Sequence, residues 1–402
     1  MSRWRTKWNS KDRSNEGRQE VSSTITKRRS ENRNLLVGAD PILSIAVFLL
    51  LITGIVLVYA ATRDWFAAND LDPEYYLKRQ IINVIIGIAL AYGATLVDYR
   101  LLRAYTPFVW GVGVLGLVAV LIPGLGSTVN GSKSWISFPG GFQIQPAELA
   151  KISIIVGMSL ILAERISGDN YPSDKQVVQS LAVAAIPILL IVAQPDLGTV
   201  LIISASVVTM IAVSGARIRW VIGLLIVGAT GVYLAVSSGQ VSEYQLKRLR
   251  SFVDPTADPQ ASGYQLRQAR VTIGSGGFLG KGLFDGPQTN GRFVPEQHTD
   301  FIFTVSGEEL GFLGSALILI LYTIILMRAF SIARRTNDLF GKMVCVGVIS
   351  WFSFQIFENI GMTMGLMPMT GVPLPFLSYG GSSMFATMIG IGLLQNVYQR
   401  TR

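Results

Sequence analysis

The sequence predicts an all-α integral membrane protein, a polytopic bundle of ten transmembrane helices with a large extracytoplasmic loop between the seventh and the eighth. Three observations predict it. Half of the 402 residues are hydrophobic and only 15% are charged, well below the roughly 25% of an average globular chain. The apolar residues gather in runs of roughly 18 to 25 residues, the length that spans about 30 Å of hydrocarbon as a helix. The basic residues, 34 against 25 acidic for a net charge of +9, cluster in alternate short loops. One Cys and one His exclude an internal disulfide framework and a Cys/His zinc site, which takes about four ligands.

Residues 1–38 read as a separate, disordered basic tail, rich in Arg, Lys, Ser and Asn and too poor in aliphatics to bury a core. The polar stretch is too long for a signal peptide. A basic segment immediately before an apolar run reads as a cytoplasmic juxtamembrane tail and not as a nucleic-acid arm. The bundle, 39–402, follows. The runs lie near Ile42–Ala61, Ile81–Val97, Phe108–Ile122, Pro146–Ala163, Val177–Ala193, Thr199–Val213, Trp220–Val236, Leu310–Met327, Met343–Leu366 and Ser383–Tyr398. The third and sixth are the shortest and richest in Gly or Ser. With the tail inside, the inner loops hold Arg100, Arg103, Arg217, Arg219, Arg328, Arg334, Arg335 and Lys342, and the even helix count returns the C-terminus to the cytoplasm. Arg63, Lys78 and Arg79 fall in the first outer loop, offset by four acidic residues.

The outer segment 237–301 is the exception to short connections, and loops of this length usually carry function. It contains Asp254-Pro255 and Asp258-Pro259, surrounded by Lys247, Arg248, Arg250, Arg267, Arg270 and Lys281, and then the lone His298. Pro after each Asp favours extended backbone, so a pair of turns is the plain reading. A carboxylate among cations on an otherwise apolar protein also suits general-base chemistry on an anionic substrate. Gly274–Gly282 resembles a nucleotide loop but fails its spacing, because Ser275 stands five before Gly280 and Gly282 follows Lys281. Turns, or backbone N–H groups facing an anion, are the remaining readings.

Ionisable residues within apolar runs default to functional candidates. Glu148 and Lys151 are three apart and can pair, after a Pro146 suited to a helix start. Asp196 stands where it can cap the sixth helix. Glu308 and Glu309 open the eighth, and Glu358 lies in the ninth beside Asn359. Buried pairs and caps compete here with cavity-lining roles. His298 reads as a hydrogen-bonding residue at the loop–membrane junction, and Cys345 as a small buried residue.

Taken together, several segments resemble the SEDS family of bacterial membrane proteins, which includes RodA and FtsW. They are Gln145–Lys151, Gln194–Thr199, Asp258-Pro259 followed by Gly263-Tyr264-Gln265, Gly274–Gly277, Pro295–Phe303, Gly307–Gly311 and Gly371–Ser383. Phe252–Pro255 and Gly371–Pro375 look more like the RodA branch. The resemblance implies a peptidoglycan glycosyltransferase that polymerises lipid II into β-1,4 glycan during elongation and shape maintenance, at the outer face of the bacterial cytoplasmic membrane. A lipid II flippase, an FtsW-like division polymerase or a scaffold are the alternatives. The resemblance assigns catalysis to Asp258, with Asp254 second. It makes Glu148, Lys151, Lys247, Arg248, Arg267, Lys281, His298, Ser378 and Ser382 substrate-binding candidates. It also implies a divalent cation (Mg2+ or Mn2+) at an unknown site, a class B penicillin-binding transpeptidase contacting helices eight and nine, and other elongation-complex membrane proteins; nucleic acid is not expected. Three positions depart from the family pattern: Ser134 before Trp135, Ala147 after Pro146, and Glu358 where an apolar residue is usual.

Overall fold

The computed structural model describes residues 38–129, 132–138, 142–164, 171–239, 243–254 and 262–401. The chain is mostly helical, and every predicted apolar run forms a helix to within two residues at its ends. These are α1 (Pro41–Ala68), α2 (Tyr75–Leu96), α3 (Tyr99–Leu121), α4 (Pro146–Ala163), α5 (Asp174–Val192), α6 (Leu197–Val213) and α7 (Ile218–Ser237). After the large loop come α12 (Gly311–Arg335), α13 (Leu339–Met364) and α14 (Gly381–Arg400). Eight described spans are long and apolar enough to cross a membrane, with Ile302–Arg335 as one of them. The other two helices of the ten are α6, which has only 17 residues, and α14, whose last turns carry Gln395, Asn396 and Arg400. The starts follow capping chemistry. Asp40 Oδ1 accepts from Leu43 N–H at 3.0 Å with Pro41 next, and Ser173 with Gln176 forms a reciprocal capping box at α5.

Two runs extend beyond their apolar limits. α1 continues to Ala68 and α2 begins at Tyr75, so Arg63 and Arg79 are helical and not part of the loop. The connection 126–144, expected as loop, forms a small antiparallel sheet of β1 (Gly126–Val129), β2 (Ser132–Phe138) and β3 (Phe142–Ile144). Register pairs Ser127 with Trp135 and Ile136 with Ile144. The outer segment is also helical, with α8 (Glu243–Val253), α9 (Ser262–Ser275) and the single turns α10 (Pro287–Asn290) and α11 (Ile302–Val305). The tail up to residue 37 and the segment 255–261 lie outside the described residues.

α4 and α13 form the centre. α13 packs on α4, α6, α12 and α14, while α14 lies along α2, α3 along α4, and α1 along α12. α7 has no buried residue; it contacts α6 and presents Ile222, Leu225, Ile226 and Tyr233 outward, as a lipid-facing helix does. Between α4 and α13, Lys151 Nζ donates to Glu148 Oε1 at 2.9 Å and to Gln355 Oε1 at 3.1 Å, and lies 4.8 Å from the Trp351 ring. Both members of the pair are about 2% exposed. At the end of the bundle where α1 begins and α12 and α14 finish, buried Asp40 pairs with Arg328 and is bracketed by Gln395, whose Oε1 accepts from Asp40 N–H at 2.7 Å.

Breaking a buried pair strands one charge, at a cost of about 3–5 kcal/mol. Thermal unfolding in detergent should therefore show a large drop for Lys151→Met and for Glu148→Gln, and a much smaller one for the double change. Equal losses for single and double variants would show that the pair is not what the cost comes from.

Candidate functional site

A cavity of about 710 Å³ opens where the outer segment meets the bundle. Its wall is assembled from the first turns of α2, the strands β2 and β3, the start of α6, one turn of α8, the 296–300 turn and the irregular stretch 368–383. The charged lining consists of Arg79, Asp196, Arg248, Glu296 and Asp300, with Ile82, Leu197, Leu201 and Met369 among the apolar side chains. A pocket with this mixture accepts a ligand with a charged head and an apolar stem.

Each polar group is positioned by local structure. Asp196 caps α6, its Oδ1 accepting from Thr199 N–H at 3.1 Å and its Oδ2 from Gln145 Nε2 at 2.9 Å. The cap anticipated from sequence is thus present, and the same carboxylate faces the cavity. Arg79 reaches the wall from α2, its guanidinium 4.5 Å from the Tyr75 ring. Asp300 sits at the end of a turn closed by N–H groups of Thr299, Asp300 and Phe301 on the Glu296 carbonyl. That turn holds Glu296 in the left-handed region at φ 53°, a conformation that costs a non-glycine residue energy and collects at functional sites. Asn359, fully buried in α13, donates from Nδ2 to the carbonyls of Asp300 and Val372, both at 2.7 Å. Desolvation, reinforced by Glu296 and opposed by Arg248, pushes the Asp300 carboxyl up to about 7.

Two residues earlier, His298 turns the other way. It is 5% exposed, with its ring 4.6 Å from Tyr76 and 5.8 Å from Tyr379, and its carbonyl accepts from Tyr379 N–H at 2.9 Å. Burial, then the charge of Arg292, lowers its pKa to about 4, so the imidazole is neutral at pH 7.

The predicted site residues are dispersed. Asp258 lies outside the described residues. Asp254 is exposed at the end of α8, its N–H on the Arg250 carbonyl at 2.8 Å. Lys247, Arg267 and Lys281 are exposed, and none of them lines the cavity. Arg248 does. Glu148 and Lys151 are spent on each other inside the bundle. Ser378 and Ser382 are buried and structural in their bonding: Ser378 Oγ accepts from Leu374 N–H at 2.8 Å, and Ser382 Oγ from Gln145 N–H at 2.9 Å. Glu358 is fully buried, and neither of its carboxyl oxygens has a hydrogen-bond partner among the described residues. The sequence reading missed Arg79, Glu296 and Asp300 as lining residues. Glu296 and Asp300 stand inside a motif already singled out, and their position just before an apolar run was the available signal.

The glycine-rich stretch has a clear role. Residues Ser306–Leu310 form a π-helical turn, which frees carbonyls for outside donors. The N–H groups of Lys281 and Gly282 donate to the carbonyls of Glu308 and Glu309 at 2.9 and 3.1 Å, and Phe312 N–H donates back to Gly277 at 3.0 Å. A Cβ at Gly276 or Gly280 would stand 2.0 or 2.1 Å from a backbone oxygen. These N–H groups dock a backbone strap, so the anion-facing reading of Lys281 and Gly282 does not hold. Glu308, fully buried, completes the anchor by accepting from the N–H groups of Gln288 and Thr289 at 2.9 and 2.7 Å. Among the described residues, no three His, Cys, Asp or Glu side chains converge to hold a metal ion.

Comparison with known proteins adds five likenesses. The profile of the family described as FTSW_RODA_SPOVE, cell cycle protein, matches residues 41–402. Stage V sporulation protein E of Bacillus subtilis is 38% identical over 364 residues, 90% of this chain and 98% of that protein. The probable peptidoglycan glycosyltransferase FtsW of Trichlorobacter lovleyi is 37% identical over 363 residues, 90% of this chain and 93% of its own length. Among solved structures, a chain from a peptidoglycan synthase complex that coordinates polymerization and crosslinking superposes with a TM-score of 0.73 at 29% identity, covering 90% of this chain and 98% of that one. The rod shape determining protein RodA of Thermus thermophilus gives 0.64 at 27%, covering 90% and 96%.

Two expected outcomes follow from this geometry. Gly280→Ala should loosen the strap and speed proteolytic cleavage within 276–290 while the bundle stays folded; cleavage at the wild-type rate would contradict the docking role. The second concerns pH. Asp300 is raised from 3.8 to about 7, so its contribution to stability is present below about pH 4 and is lost as pH rises through 7. His298 is lowered from 6.5 to about 4, so its contribution is present above about pH 6.5 and is lost as pH falls through 4. The two slopes oppose each other between pH 4 and 7. In melting curves across that range, Asp300→Asn should make stability rise with pH and His298→Phe should make it fall; unchanged slopes would refute both assignments.

Proposed function

The chain belongs to the FtsW/RodA/SpoVE family of cell cycle proteins, and from that premise we propose that it is a membrane-embedded peptidoglycan glycosyltransferase that polymerises lipid II. The observation that carries the reading is the cavity itself. It joins guanidinium groups suited to a pyrophosphate, carboxyls suited to sugar hydroxyls, and an apolar side continuous with the bundle, where a polyprenyl stem can lie. A transporter reading asks Glu148, Lys151, Asp196 and Glu358 to line a path. Of these, only Asp196 faces the cavity, which favours the enzyme over the flippase.

In the proposed reaction Asp258 is the general base. It takes the proton from the 4-hydroxyl of the acceptor N-acetylglucosamine as that oxygen attacks C1 of the donor N-acetylmuramic acid. The C1–O bond to undecaprenyl pyrophosphate breaks with its electron pair on the leaving oxygen, and inversion gives the β-1,4 bond. Asp254 is the second candidate for the base. Arg248 and Arg79 would stabilise the pyrophosphate charge. Lys247, Arg267 and Lys281, exposed on the same outer segment, would attract the anionic substrate over a longer range. A divalent cation, Mg2+ or Mn2+, would enter as a companion of the pyrophosphate.

We assign the polymerase to the cytoplasmic membrane with both termini inside, on the distribution of Arg and Lys among the short loops. Its partner would be a class B penicillin-binding transpeptidase seated against α12 and α13, where Phe312, Leu313 and Leu317 of α12 and Phe357 of α13 are exposed. Phe252–Pro255 and Gly371–Pro375 favour an elongation role; a division polymerase is the alternative, in line with the FtsW name that several relatives carry. Depletion in the native host separates them, giving rounded cells for elongation and filaments for division.

The direct test is glycan polymerisation from lipid II by the full-length protein with its transpeptidase. Asp258→Asn should lose about 10²–10⁴-fold in rate, whereas Glu148→Gln, once shown to fold, should keep most of it. Undiminished polymer from Asp258→Asn would remove that residue as base.

A further inference from the structure

The reaction above makes no use of Tyr379. This residue stands at the end of the irregular stretch, half-buried, and lines the cavity together with Tyr75, Tyr76 and Arg79 of α2. It is fixed from two sides, the 296–300 turn and α2. Its backbone N–H donates to the His298 carbonyl at 2.9 Å. Its ring meets the Tyr76 ring edge-on, at 4.8 Å and 88°, and the His298 ring at 5.8 Å. The carbonyl just before it, on Ser378, accepts from Gln80 Nε2 at 3.3 Å. Beyond the ring the wall is bare. Gly380 and Gly381 follow, and the nearest atom a Cβ at Gly380 would meet is Ser383 Cβ, 3.9 Å away. A hydroxyl on a ring clamped in this way is in place before any ligand arrives, as a catalytic donor must be.

The neighbours also set where the hydroxyl hydrogen points. Burial raises the pKa of the Tyr379 phenol, and the Arg79 guanidinium beside its oxygen opposes that rise; the phenol stays protonated at pH 7. A guanidinium has donors and no acceptor, so the phenol turns its lone pairs toward Arg79 and its hydrogen toward the cavity. We infer that Tyr379 is a catalytic residue of the proposed transfer: its O–H donates a hydrogen bond to the pyrophosphate oxygen that leaves C1, beside the guanidinium of Arg79. This rests on the function proposed above. No proton changes hands. As the C1–O bond lengthens, its electron pair collects on the leaving oxygen, and a donor already aimed there gains strength as the charge grows. A diphosphate is stable as an anion, so it calls for a hydrogen bond and not for an acid. The adjacent cation polarises the phenol and strengthens the bond it donates.

The experiment is steady-state kinetics of glycan polymerisation from lipid II at pH 7, by the full-length protein with its transpeptidase in detergent. Tyr379→Phe keeps the ring that packs on Tyr76 and His298 and removes only the hydroxyl. It should lower kcat by about 10²–10³-fold and leave KM close to its wild-type value, the mark of an interaction made in the transition state. Tyr379→Phe with wild-type kcat, or with its whole loss in KM, would overturn the inference and leave the proposed function standing. Absence of polymer from the wild-type protein would overturn the proposed function, and the inference with it. Should Tyr379→Phe fail to fold, 3-fluorotyrosine in place of Tyr379 decides. Fluorine keeps the hydroxyl and nearly the size of the ring, and makes the phenol a stronger donor. A kcat above wild type at unchanged KM supports the inference; a kcat equal to or below wild type overturns it.

Discussion

Irregular backbone inside a membrane bundle must find its hydrogen-bond partners in protein, because hydrocarbon offers none. The stretch between α13 and α14 depends on this, and the cavity depends on the stretch. Gln355 Nε2 donates to the Pro373 carbonyl at 2.8 Å, Asn359 Nδ2 to Val372 at 2.7 Å, and Gln80 Nε2 to Ser378 at 3.3 Å. The Tyr322 hydroxyl donates to the Pro375 carbonyl. Side chains from α2, α12 and α13 therefore do for this segment what a neighbouring strand does in a sheet. Two prolines, Pro373 and Pro375, remove N–H groups that would otherwise also need acceptors. The result is a fixed, non-helical floor under Asp300, Arg248 and Tyr379.

Charge is allocated in two ways. Glu148, Lys151, Asp40, Arg328 and Glu308 are buried or half-buried and matched within the protein, which organises helix packing at little net gain in stability. Asp196, Glu296, Asp300, Arg79 and Arg248 face the cavity, where a ligand completes their surroundings. The first group explains how the bundle tolerates most of its buried charges; Glu358, buried and without a hydrogen-bond partner among the described residues, belongs to neither group. The second is where the chemistry of an anionic lipid substrate is accommodated, and His298, neutral and packed between tyrosines, supports it from behind.

Much of this was legible in the residues. Helix lengths follow from hydrocarbon thickness, so all ten apolar runs became helices, and Pro146 and Asp196 marked two starts through capping chemistry alone. Arg79 was misread because hydropathy marks where a helix becomes apolar and not where it begins. α2 starts at Tyr75, two turns before its apolar run, and that offset turns a loop charge into a cavity wall. The glycine stretch was read as turns or an anion nest because nothing local announces a π-helical turn whose freed carbonyls lie thirty residues on. Ser378 and Ser382 look like ligand contacts in sequence, yet the Ser378 hydroxyl closes a local turn on Leu374 N–H and the Ser382 hydroxyl ties α14 to the strand end at Gln143 and Gln145. Arg248 and Lys247 are adjacent in the chain, and only α8 geometry decides which of them reaches the cavity.

The central claim is that lipid II is processed in the cavity floored by the 368–383 stretch. Photo-crosslinking of the full-length protein with a lipid II analogue bearing its reactive group beside the pyrophosphate, followed by peptide mapping, tests it most directly. Labels concentrated on 75–83, 245–248, 296–300 and 368–383, and suppressed by unlabelled lipid II, are the predicted result. Labels confined to the outward face of α7 or to other lipid-facing surfaces would contradict the account.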